Sequence, residues 1–177
     1  MSTASLAAAD LAAQLAQRCD GRVSGGAGDL TVDVRAERWV QALAVARDEL
    51  GLGFFDWLSA VDDLEAGLWV VCHLAAVRSG SPGAGGQLGG HLLVRTIVAR
   101  EGASLATATS VFAGAAWHER ETWEMFGIEF VGHPNLVPLL LADGFDGWPL
   151  RKDFQLQARL QRPWPGGKES AVRQVPR

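Results

Sequence analysis

Apolar and polar positions change period several times along the chain. Leu6 to Arg18 reads as a helix: Leu11 and Leu15 lie one turn apart on an alanine-rich surface, Ser5 stands at the N-cap, and Asp20-Gly21 supplies the stop. After a Ser24–Gly28 loop, Leu30, Val32 and Val34 alternate with Thr31 and Asp33, the two-residue period of a half-buried strand. Helical spacing returns from Glu37 to Leu50, through Val40, Leu43, Ala44 and Arg47, with Gly51 as the stop. Phe54 to Val61 is apolar and aromatic and predicts a strand. Leu68–Val77 and His91–Arg100 predict two more, joined through Arg78–Gly90, a stretch of Gly, Ser and Pro that reads as a long hairpin loop. A third helix runs from Val111 to Phe126 and stops at Gly127. Beyond it glycine and proline interrupt every stretch, which predicts an extended segment wrapping over another surface.

Helix, strand, helix and three sequential strands predict an α+β fold, a two-layer helix and mixed-sheet domain followed by an extended irregular C-terminal arm. The expected division is a helix and loop over 1–28, the α+β core over 29–127, and a docking segment with a basic tail over 128–177. At 177 residues the chain suffices for one ordinary core. Mean hydropathy is +0.08, and no apolar run approaches the roughly 20 residues a membrane span requires. Met1 to Leu15 lacks the basic start of a secretory signal. Two cysteines, Cys19 and Cys72, make a disulfide framework or a thiolate-held cluster an unsuitable reading, and an intracellular setting fits.

Charge divides the chain. Residues 1–150 carry 9 basic and 18 acidic side chains, whereas 151–177 carry 7 basic and 2 acidic ones. An acidic body argues against nucleic acid as a partner. The basic tail reads as an arm lying on something acidic, the body being one candidate.

Candidate chemistry is sparse. Gly83–Gly90 lacks the lysine and the following helix of a phosphate loop. In the third helix, at about 100° per residue, Phe112, Ala115, Ala116, Trp123 and Phe126 share one sector with Glu119 at its centre. Arg120 lies on the sector's edge, and Glu121 and Glu124 point elsewhere. A carboxylate so placed requires pairing, hydrogen bonding or protonation. Three readings stand: a buried pair with Arg120 or Arg151, a cleft shared with another polypeptide, or general acid–base chemistry. His118 with Glu121, and Cys72-His73, have ligand-like spacing, yet no second pair completes a metal site among His73, His91, His118 and His133.

Two strings carry a resemblance. One runs from Trp117-His118-Glu119-Arg120-Glu121-Thr122-Trp123-Glu124-Met125-Phe126-Gly127-Ile128 to Phe130 and Gly132-His133-Pro134; the other is Gly147-Trp148-Pro149-Leu150-Arg151-Lys152-Asp153-Phe154. Together they resemble the thirty-kilodalton (C-type) subunit family of respiratory complex I, the proton-pumping NADH:quinone oxidoreductase, over roughly Leu30 to Phe154. The resemblance implies a peripheral-arm subunit on the cytoplasmic face of the cell membrane, reaching the membrane only through the complex. It implies that this chain binds no cofactor and has no independent activity, in a complex that uses FMN, iron–sulfur clusters, NADH and quinone. The implied partners are the large quinone-site subunit of the D type and the cluster-bearing subunit of the B type. Trp117, Glu119, Arg120, Glu121, Gly127, Gly132, His133, Pro134, Pro149, Leu150, Arg151, Lys152 and Asp153 are the implied interface or motif residues.

The sequence agrees with a docking role. Trp117, Trp123, Trp148 and Trp164 provide anchors, Pro134, Pro149, Pro163 and Pro165 pre-set an arm, and Arg151, Lys152 and the tail arginines offer charge-assisted bonds. It also departs from the family pattern: Ala116 replaces an asparagine, Glu124 an aspartate, Val137 and Pro138 two arginines, and Trp148 a histidine. These changes leave open a related membrane-bound hydrogenase or F420H2 dehydrogenase, or an independent interaction module.

Overall fold

The computed structural model describes residues 3–25, 30–78 and 87–155, without the side chains of residues 3–7, 78, 87 and 88. Helix α1 (Thr3–Cys19) ends where Asp20 takes φ 52° and Gly21 N–H returns to the Ala16 carbonyl at 2.9 Å, the expected stop. Strands β1 (Arg22–Ser24) and β2 (Thr31–Asp33) pair antiparallel, and a single 3₁₀ turn at Ala36–Arg38 leads into α2 (Trp39–Asp48). Three long strands follow: β3 (Phe54–Asp63), β4 (Gly67–Arg78) and β5 (Gln87–Val98). The last elements are β6 (Ser104–Ala106), α3 (Ala115–Phe126) and β7 (Glu129–Val131). The fold is α+β.

The main sheet runs β1-β2-β5-β4-β3, and β2 lies parallel to β5 while the remaining pairs are antiparallel. Alternation gives it two unlike faces. Val70, Cys72, Leu74, Leu92 and Val94 point to the helices and are buried with Ala12, Leu15, Leu43, Ala46 and Phe126. The opposite face carries Trp57, Ser59, Val61, Val71, Leu93 and Arg95, and it frames a cavity of about 270 Å³. A bulge at Asp56 shifts the β3 register. It keeps Phe55 with the core, its ring 5.5 Å from that of Phe112.

Besides adding the short strands β1 and β6, the structure departs from the expected elements in three places. Helix α3 begins at Ala115 rather than Val111, because residues 108–114 form turns that insert Phe112 into the core beside Phe55. The β4 and β5 strands extend to Arg78 and from Gln87, so the expected loop is shorter, and its residues 79–86 lie outside those described. Gly127 does stop α3, yet the core continues past it: β7 pairs in parallel with β6, and Ile128 and Phe130 are buried. Residues 156–177, including Trp164, Pro163, Pro165 and most of the basic tail, lie outside the described residues.

Candidate functional site

Helix α3 and the segment from Gly132 to Phe154 form one polar network on the core's flank. The Glu119 side chain is fully buried, as the apolar stripe required. Its partners are neither Arg120 nor Arg151. Glu119 accepts the Thr107 hydroxyl at Oε2 and the Ala108 N–H at Oε1, both at 2.6 Å, and His133 Nε2 stands 4.0 Å from Oε2. Burial pushes the Glu119 carboxyl up from its usual value; the Thr107 and Ala108 donors and His133 oppose that rise without cancelling it. The Asn135 N–H donates to His133 Nδ1 at 3.0 Å, so Nε2 carries the ring proton and donates to the Ala116 carbonyl at 3.0 Å. The Gly-His-Pro stretch is thereby pinned to the first turn of α3. Gly132 supplies a positive φ of 85° before it, and Pro134 is exposed.

Arg120 and Arg151 hold main-chain carbonyls. Arg120 donates through Nε to Val137 at 2.8 Å and through Nη2 to Pro138 at 2.6 Å, with its guanidinium 5.7 Å from the centre of the Trp117 ring. The Val137 and Pro138 carbonyls thus serve as acceptors. Arg151 donates to the Phe126 carbonyl at 2.6 Å and lies 4.2 Å over Trp148. Gly127 takes φ 69°, its N–H bonds the Trp123 carbonyl at 2.8 Å, and a Cβ there would stand 2.3 Å from the Trp148 ring. Only glycine meets both demands. Leu150 N–H reaches the Met125 carbonyl at 3.1 Å while its side chain is exposed, Pro149 is half-buried, and Trp117 and Glu121 face solvent.

Four residues of this network were not singled out in the sequence. Glu124, expected to point away from the core, is buried beneath residues 138–141 and accepts the N–H groups of Leu140 at 2.8 Å and Leu141 at 3.1 Å. Burial alone would raise its pKa, but the Leu140, Leu139 and Leu141 amides and nearby Arg120 bring it below the usual value. Asp62, buried at the end of β3, pairs with Arg100 and accepts the Lys152 N–H at 2.8 Å. Arg100 also reaches Asp153 at 3.0 Å. Thr107 completes the set.

The two metal-like spacings do not converge. Cys72 and His73 are adjacent on β4 and point to opposite faces. Burial pushes the Cys72 thiol far up, with Glu119 adding to it, while His73 bonds Asp56 at 2.9 Å and His91 at 3.1 Å on the other face. The His118 ring instead meets Phe55 edge-on at 5.3 Å. Among the described residues no group of three or more His, Cys, Asp or Glu side chains is arranged to hold a metal ion, and no helix is long and apolar enough to cross a membrane.

Fold and site together define a two-layer scaffold whose charged groups hold an irregular C-terminal segment against a helix. The chain matches the model of the respiratory-chain NADH dehydrogenase 30 Kd subunit over residues 32–160. The NADH-quinone oxidoreductase C subunit of Citrifermentans bemidjiense is 35% identical over 78% of this chain and 82% of that protein. Its counterpart from Roseiflexus sp. RS-1 is 38% identical over 74% and 72%. Among solved structures, a trypsin-resistant fragment of Nqo5 superposes with a TM-score of 0.60 at 27% identity, covering 72% of this chain and 98% of the fragment. A chain of an archaeal membrane-bound sulfane sulfur reductase shares the fold, with a TM-score of 0.69 at 22% identity over 93% of this chain and 98% of its own length. The chain belongs to the respiratory-chain NADH dehydrogenase 30 Kd subunit family.

Proposed function

We propose that this chain is a non-catalytic assembly subunit of the peripheral arm of a complex I-like NADH:quinone oxidoreductase, on the cytoplasmic side of the membrane. It scaffolds a large quinone-site subunit of the D type and a cluster-bearing subunit of the B type, while flavin, iron–sulfur clusters, NADH and quinone are held by its companions. The observation that carries this reading is the investment of Arg120, Glu124, Arg151, Asp62 and Arg100 in holding the segment 137–153 against the body, largely through main-chain groups. Such bonds fix an irregular backbone before it meets a partner and so reduce the ordering cost of docking. Trp117, Leu150, Trp148 and Lys152 are left at the surface for contact. Glu119 and His133 act from inside, holding the shape that the contact residues need.

Deleting the gene in its host and replacing it with wild-type or substituted copies tests the proposal. Membranes lacking the chain are expected to lose quinone-dependent NADH oxidation, wild type to restore it, and a Trp117→Ala/Leu150→Ala copy to restore it poorly. Unchanged oxidation in the deletion strain would refute the reading.

A further inference from the structure

A row of hydroxyls continues outward from Glu119 beyond the docking network. Glu119 Oε2 lies 2.6 Å from Thr107 Oγ1, and Thr107 Oγ1 lies 2.8 Å from Thr109 Oγ1. The Thr109 N–H also donates to Thr107 Oγ1, at 3.1 Å. Glu119 and Thr107 are buried, whereas Thr109 is half-buried and Ser110 beside it is exposed. The row thus leads from a sealed carboxyl to a side chain that water reaches.

Two arrangements of its protons satisfy every partner. A hydroxyl has one donor and two acceptor sites. With Glu119 ionised, Thr107 donates to Oε2 and accepts from the Thr109 N–H and the Thr109 hydroxyl. With Glu119 protonated, Oε2–H donates to Thr107, Thr107 donates to Thr109, and the Thr109 N–H keeps its acceptor. Oε1 accepts the Ala108 N–H in both. Rotation of hydroxyls therefore accommodates either state of the carboxyl with no heavy atom displaced.

Among the described residues no other neighbour offers a way out. His133 uses Nδ1 to accept the Asn135 N–H and Nε2 to donate to the Ala116 carbonyl. From β4, Cys72 lies within reach of the Glu119 charge, as a thiol that burial keeps protonated. From β3, Leu58 and Ala60 are apolar, and Asp62 is engaged with Arg100 and the Lys152 N–H. On α3 itself, Arg120 is turned to the Val137 and Pro138 carbonyls. Burial raises the Glu119 carboxyl against the Thr107 and Ala108 donors and His133, so it keeps its proton into a range where exposed carboxyls release theirs.

We propose that Glu119 is a buried proton-binding site that loads and unloads through the Thr107 and Thr109 hydroxyls. On release, the Oε2 proton passes to Thr107, the Thr107 proton passes to Thr109, and the Thr109 proton passes to water. A carboxylate and two intact hydroxyls remain, and uptake reverses the steps. Because the ionised carboxyl is the stronger acceptor for the Ala108 N–H, the turn beneath α3 tightens or loosens with the pH outside.

Time-resolved infrared spectroscopy of the full-length chain tests this. The carboxylic acid C=O band of Glu119 is isolated at pH 5 as the difference between wild type and Glu119→Gln, and its isotope shift is followed on mixing into D2O. The shift is expected to be at least tenfold slower in Thr109→Val and to keep the wild-type rate in Thr109→Ser, which retains the hydroxyl. Equal rates in wild type and Thr109→Val overturn the proposal, because the proton then leaves by another route. Equal slowing in both variants also overturns it, since a disturbed turn and not a missing hydroxyl is then the cause. A wild-type chain with no Glu119 band at pH 5 overturns it as well, because no proton is held there to move.

Discussion

The carboxylate of Asp62 accepts the main-chain N–H of Lys152 at 2.8 Å, a bond across 90 positions of sequence. The same carboxylate pairs with Arg100, which reaches on to Asp153. The end of β3 therefore fixes where the Pro-Leu-Arg-Lys-Asp stretch leaves the body. Asp62→Ala strips a buried pair and orphans an amide, at an expected cost of about 2–3 kcal/mol. Urea unfolding measures it, and a loss below roughly 0.5 kcal/mol would show that the clamp is ornamental.

Gly127→Ala places a methyl group 2.3 Å from the Trp148 ring in a left-handed conformation. The combined strain is expected to cost about 2–4 kcal/mol. Gly127→Ala/Trp148→Ala should recover the steric part while leaving the backbone part, and thermal melts of the two variants separate them.

Glu119 and Glu124 give opposite pH signatures. The Glu119 carboxyl lies above its unfolded value, so the folded state holds that proton more tightly. Its contribution is full below the unfolded value and declines as pH rises through the folded one. Glu119→Gln, read by urea unfolding across pH 4 to 8, should lose most against wild type at the acid end. A deficit that grows with pH would contradict the burial argument.

The Glu124 carboxyl lies below its unfolded value, held there by the Leu140, Leu139 and Leu141 amides. Its contribution is present above the unfolded value and disappears as pH falls through the folded one. Glu124→Gln should cost about 1–2 kcal/mol at pH 7 and nothing once the Glu124 carboxyl is protonated in both the folded and the unfolded state. An unchanged deficit in acid would point to packing instead of charge.

How much was legible in the sequence follows the range of each interaction. Helices α1 and α2 and the long strands β3, β4 and β5 declare themselves by period, because their burial repeats along the chain. The three-residue strands β1, β6 and β7 do not, since so few residues hold no period and their pairing is made with distant partners. The burial of Glu119 was readable from the helical stripe. Its partners Thr107 and Ala108 were not, because they sit in a turn whose path no periodicity encodes. Glu124 was misread for a related reason: the segment 138–141 covers a second side of α3 that helical spacing marks as solvent.

Composition of the complex recovered through this chain tests the central claim most directly. Tagged full-length chain, purified from its host's membranes in mild detergent, should bring down a large quinone-site protein and a cluster-bearing one in equal amounts, with quinone reductase activity in that fraction and none in the chain alone. Recovery as a solitary protein that turns over substrate by itself would contradict it.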